Sequence, residues 1–278
     1  MLELFINEDG DMNFIDSKEL LELCHKNNCS ISEVMIQREM QLFKCSREEI
    51  MERMAHAYDI MKRAAERALR ENLVSMDGLG GGESKRLFLN AGKHSVCGEM
   101  MSKAMSYAVG VLEVNCAMGL IVAAPTAGSS GVIPGVFLAM QEHFELTDEQ
   151  MVKALFNAGA IGYLMTCNTS LLGAESGYQM EVGIASAMAA AAVCEMMGAS
   201  PEVSLDAAAT AITNMLGLGC NPVAGVEETP CQKRNVMGVS NALISAEMTL
   251  CGLKQMIPFD ETLDTIYRLS RIMPEELG

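Results

Sequence analysis

The stretch EVGIASAMAAAAVCEMMGASPEVSLDAAATAITNML, Glu181 to Leu216, decides the fold. Its apolar residues do not alternate as those of a half-buried strand do, and Ala runs through two segments that are each long enough for several helical turns. Ser200 is placed as an N-cap, Pro201 follows at the first helical position, where a missing N–H costs nothing, and Gly217 stands where a helix should stop. The apolar run between Glu181 and Glu195 is too short to cross a bilayer, so it reads as a buried helix.

The same grammar extends in both directions. Apolar spacing predicts helices over Gly98–Asn115, Val132–His143, Asp148–Thr166, Glu181–Met197, Pro201–Leu216, Val236–Leu253 and Glu261–Ile272, with Thr147 and Gln150 forming a capping-box pair before the third. The first third is more charged. Asp16 precedes SKELLELCHKN, Ser30 with Glu33 and Ser46 with Glu49 have capping-box spacing, and REEIMERMAHAYDIMKRAAERALREN predicts a helical hairpin or a long kinked helix. SMDGLGGGESKR interrupts the pattern. It lacks both a preceding strand and the GKS or GKT ending of a phosphate-binding loop, so it reads as a connection. The expected architecture is all-α and multi-helix, with an N-terminal charged segment over 1–75 and an apolar core over 76–278 in one continuous unit.

Composition bounds the function. With 24 Met, no Trp and half its 278 residues apolar, the chain must build its core from Ala, Leu, Ile and Val, with Met filling gaps. A formal charge of −16 argues against nucleic acid, which requires clustered Lys and Arg, and favours a small-molecule or protein partner. Glu113 and Asn115 interrupt the run from Ala104 to Pro125, which excludes a membrane span there. MLELFINEDGDM is no secretory signal, so the cytoplasm is expected, and with it ten cysteines that are mostly reduced. Cys194 and Cys251 sit in apolar helical patterns and read as core residues.

Two segments carry chemistry. In PTAGSSG, Pro125 to Gly131, the hydroxyls of Thr126, Ser129 and Ser130 precede a helix N-terminus, a seat for a carboxylate or simply a turn whose hydroxyls cap the helix. In LGCNPVAGVEETPCQKRN, Cys220 and Cys231 lie among turn formers, at a spacing that matches neither a zinc knuckle nor a ferredoxin run.

Together, EVNCAMGLIVAAPTAGSSGVIPG, GYQMEVGIASAMAAA, GCNPVAGVEETPCQKRNVMGVSNALISAEM and IPFDETLD resemble, in order and spacing, the α subunit or α domain of the iron–sulfur-dependent bacterial L-serine dehydratases. The resemblance covers about Glu33 to Glu276. It implies a 4Fe-4S cluster held by three cysteines with one iron open to the serine hydroxyl, conversion of serine to pyruvate and ammonia, and a separate β subunit. The second and third ligand positions fall on Cys220 and Cys231. The first falls on Tyr178, because GYQMEVG stands where the family reads G-C-Q-x-E-V-G. Cys167 is the candidate substitute ligand. Lys93 or His94 could face substrate, Lys233 and Arg234 could neutralise cluster or carboxylate charge, and Glu181 is either a buried acid near Tyr178 or the N-terminal carboxylate of its helix. Tyr178 keeps two other readings open: a paralogue with altered or no catalysis, and a structural zinc site at Cys220, Cys231 and Cys167.

Overall fold

A computed structural model describes residues 10–76, 78, 80–92, 95–167, 177–219 and 228–272; at 177–178 and 228–230 the description covers the backbone alone. Among these residues there are eleven α-helices and no strand. They are α1 (Ser17–Asn27), α2 (Ile31–Phe43), α3 (Arg47–Arg70), α4 (Glu83–Asn90), α5 (Glu99–Cys116), α6 (Val132–Phe144), α7 (Asp148–Cys167), α8 (Gly177–Met196), α9 (Pro201–Met215), α10 (Glu228–Leu250) and α11 (Phe259–Ile272). The all-α reading holds. None of the helices is long and apolar enough to cross a membrane among the described residues.

Helix starts follow the capping chemistry in the sequence. Asp16 and Ser30 accept the backbone N–H groups of Glu19 and Glu33, and Ser46 with Glu49 forms a complete reciprocal capping box. The stretch expected as a hairpin or a long kinked helix is the single helix α3 rather than a hairpin, and α1 and α2 before it are separate, because Asn28 and Lys44 take left-handed conformations that end them. Long-range carboxylates add further caps. Asp260 at the start of α11 accepts from the N–H and hydroxyl of Ser17, and Glu195 of α8 accepts from the N–H of Ser32 and the amide of Asn157.

Two helices act as hubs. The α8 helix packs against α6, α7, α9, α10 and α11; the α5 helix packs against α3, α4, α6 and α10, so that α6 and α10 join the two groups. In α8, Ala185, Ala187 and the run Ala189 to Ala192 are fully buried, as are Ala207 and Ala208 on α9. Small side chains let these backbones approach closely, and the apolar surface on every side of α8 is what a central helix needs. A polar tie crosses this core: Asn241 of α10 donates to Ser186 of α8 at 2.8 Å and to the carbonyl of Ala211 of α9 at 2.8 Å. Cys194 is buried as expected, and burial pushes its thiol up to about 12, the behaviour of an inert core cysteine. Cys251 is a correction. It lies just past the end of α10 and is exposed, because the helix stops at Leu250.

Two boundaries differ from expectation where it matters most. The α8 helix begins at Gly177 rather than Glu181, and α10 begins at Glu228 rather than Val236. Pro230 does not prevent the second, since the N–H groups of a first turn have no intrahelical acceptor. Tyr178 and Cys231 therefore sit on first helical turns.

Candidate functional site

Side-chain bonds and close contacts draw together the N-terminal turns of α6, α8 and α10. The loop before α6 is held by its own hydroxyls: Ser130 donates to the carbonyl of Ala127 at 2.7 Å, and Ser129 pairs with the Thr126 hydroxyl at 3.1 Å. Ser129 and Ser130 are fully buried, which makes them braces of the loop, while Thr126 is half-buried at its surface. Neither hydroxyl caps α6, whose N-cap is Gly131, with no side-chain capping bond.

Asn235 of α10 ties this loop to the cysteine turn. Its Oδ1 accepts from the N–H of Gly131 at 3.0 Å, and its Nδ2 donates to the carbonyls of Gly128 at 2.7 Å and Cys231 at 2.8 Å. Asn235 has no exposed surface. Cys231, one helical turn earlier, is 7% exposed, so the thiol expected on an open loop is instead buried at a helix start. The N-terminal end of a helix dipole favours a thiolate and any anionic group it binds.

The α8 turn closes the third side. A Cβ placed on Gly128 would lie 3.0 Å from Oε2 of Glu181, so the loop backbone runs directly against that carboxylate. Next to Tyr178, the fully buried Gln179 accepts from the N–H of Gly217 at 2.9 Å and donates its own N–H to the carbonyl of Leu218 at 3.0 Å. These bonds fasten the α8 turn to the chain that leads from α9 to Cys220.

Other candidates divide. Cys167 ends α7 exposed, one turn after Tyr163, whose hydroxyl donates to Asn13 at 3.3 Å and whose acidity is lowered chiefly by burial. Tyr163 faces the N-terminal region, stacked under Arg38 at 3.8 Å and edge-on to Phe14. Arg234 is half-buried, with Nη1 near the Met237 sulfur at 3.9 Å, and Lys233 is exposed. Lys93, His94 and Cys220 lie outside the described residues, as does the side chain of Tyr178. Among the described residues no group of three or more His, Cys, Asp or Glu could hold a metal ion.

Asn235, Gln179 and the Gly128–Glu181 contact were not singled out from sequence. One signal was available for the first: Asn235 lies four residues after Cys231, hence on the same helical face.

A family model described as serine dehydratase alpha chain matches residues 26–278. The chain belongs to the serine dehydratase alpha chain family. It is 46% identical over 266 residues to a protein of Bacillus subtilis (strain 168) named probable L-serine dehydratase, alpha chain, covering 95% of this chain and 88% of the relative. It is 37% identical over 263 residues to the L-serine dehydratase, alpha chain, of Peptoniphilus asaccharolyticus, covering 94% and 90%. L-serine dehydratase 1 of Escherichia coli (strain K12) is 33% identical over 268 residues, and that match spans 94% of this chain but only 58% of the longer relative.

Proposed function

We propose that this chain is the α subunit of an iron–sulfur-dependent L-serine ammonia-lyase, acting with a separate β subunit to convert L-serine to pyruvate and ammonia. The observation that carries this reading is the junction of Cys231, the PTAGSSG loop and the first turn of α8, made by Asn235 and Gly128 in a chain of this family.

The described donor chemistry suits a cluster in kind: one buried thiol at a helix N-terminus, beside backbone N–H groups. Cys231 and Cys220 would hold it, with Tyr178 at the remaining family position and Cys167 as its substitute. When bound, the cluster supplies an open iron as a Lewis acid toward the serine hydroxyl. The chain's own residues do the rest. Thr126 and the loop backbone before α6 take the substrate carboxylate, Lys93 and Arg234 offset its charge, and the buried serines keep the loop from yielding.

Iron and acid-labile sulfide per chain, measured on protein prepared without oxygen, test the reading. About four of each are expected, falling to none in Cys220→Ala. Unchanged iron in that variant would overturn the ligand assignment. A rise in occupancy with Tyr178→Cys would show that Tyr178 weakens the site. The phenol position favours a second reading, a paralogue without the cluster, which predicts neither iron nor sulfide under any loading condition.

A further inference from the structure

The glycine-rich stretch that reads as a simple connection also touches the site. A Cβ on Gly80 would lie 3.3 Å from Nε2 of Gln232, the residue after Cys231, and Gln232 is itself buried at 8% exposure. The backbone of this turn is therefore packed against the cysteine turn of α10. It is held from both sides. Ser75 donates its N–H to the carbonyl of Gly80 at 3.0 Å and accepts the N–H of Gly80 on its hydroxyl at 3.1 Å, while the N–H of Gly81 donates to Oε2 of Glu83 at 2.6 Å. At Gly81, where φ is +151°, a Cβ would meet the carbonyl of Leu73 at 2.2 Å, so no other residue fits.

The turn runs into α4, whose own N-cap, Gly82, has no side chain to offer. Glu113 of α5 takes that place. Its Oε1 accepts from the N–H of Glu83 at 2.6 Å and of Ser84 at 3.1 Å. Glu113 is 3% exposed and its Oε2 is buried with no donor. A buried carboxylate oxygen with no donor disfavours the charged form. The titration directions agree: burial above all pushes Glu113 up to about 7. In Glu83 burial acts the same way but is outweighed by hydrogen bonds from the backbone and Arg86, and its acidity is raised.

We propose that Glu113 is a positioning residue: it fixes the Gly80–Gly82 turn as a wall of the site by capping α4 through two backbone N–H groups. The structural half stands on the contacts alone. Its catalytic half rests on the function proposed above.

Hydrogen exchange of the purified chain tests the anchor without any cluster or substrate. Glu113→Ala should speed exchange over residues 80–86 by about tenfold or more, the equivalent of one lost bond of about 1.4 kcal/mol, with α6 and α8 unchanged. Glu113→Gln keeps an acceptor for both N–H groups and should restore wild-type exchange. Glu83→Ala alters a more accessible side chain, should fold even where Glu113→Ala does not, and should loosen the same residues. Unchanged exchange over 80–86, acceleration spread evenly through the molecule, or a Glu113→Gln variant as loose as Glu113→Ala would each overturn the proposal. In the loaded enzyme with its β subunit, Glu113→Ala should raise KM for serine more than it lowers kcat, with Glu113→Gln again restoring both. Equal kinetics in all three proteins would remove the wall's role in catalysis. Wild type that forms no pyruvate sinks the proposed function while the exchange result still decides the anchor.

Discussion

The body and the first turn of α8 are held in different ways. Between Ala185 and Ala192 the helix is mostly fully buried alanine packed against α9, where contact depends chiefly on volume, with Ser186 tied to Asn241 and Glu195 beyond it tied to Ser32 and Asn157. At its first turn, Gln179 and Glu181 meet backbone groups of Gly217, Leu218 and Gly128, and each meeting is a particular hydrogen bond or a particular close approach. A single helix thus has a body fixed chiefly by packing and a first turn fixed by polar accounting. The packed body makes the first turn a dependable platform, because interdigitated small side chains leave the helix no alternative register.

The largest break in this arrangement should come from Asn235→Ala. It strips partners from the N–H of Gly131 and from the carbonyls of Gly128 and Cys231 at a residue with no access to water. Each buried group left unpaired costs about 1–3 kcal/mol, so a loss of about 3 kcal/mol or more in unfolding free energy is expected. Cluster loading should fall further than this destabilisation explains, since the loop before α6 and the cysteine turn lose their shared strut. Denaturant unfolding alongside iron content separates the two effects; full loading in a destabilised variant would mean that Asn235 serves the fold alone.

Ala208→Leu attacks the other kind of contact. Ala208 is fully buried on α9, where three extra carbons have no space, and overpacking of this kind costs about 2 kcal/mol. The expected outcome is a lower unfolding midpoint with iron content per folded chain unchanged. A loss of iron equal to that of Asn235→Ala would show that the packed body and the polar turn are not separable.

The sequence made the packed body easier to read than the polar turn, for a physical reason. Ala-rich periodicity, Ser46 with Glu49, and Ser200 before Pro201 are local signals, and they place α3, α8 and α9 within a few residues of the observed helices. The starts of α8 and α10 were missed because Gly177 and Pro230 read as loop residues, while a first turn tolerates both. Motif resemblance pointed to the PTAGSSG loop and to Cys231, but not to what joins them. Asn235 bonds to Gly128 and Gly131, residues more than a hundred positions away, and Glu113 caps α4 from α5 across the glycine-rich turn. Such pairings have no period and no spacing rule, so only the packed chain reveals them.

The smallest change sharpens the comparison most. In Gly128→Ala the added Cβ would stand 3.0 Å from Oε2 of Glu181, a contact that requires the carboxylate to move by a few tenths of an ångström. Gly128 is not among the residues of positive φ, so alanine fits its backbone, and the reduced freedom of the unfolded chain favours the variant by about 0.4–1 kcal/mol. The contact and the entropy oppose each other, and the net change in stability should lie within about 0.5 kcal/mol of zero. That result would mean that Glu181 yields and that the polar turn can adjust to small shifts, as a site that must admit substrate requires. A loss well beyond 1 kcal/mol would instead show Glu181 to be as rigidly seated as the alanines beyond it, and the two parts of α8 would then differ in chemistry but not in stiffness.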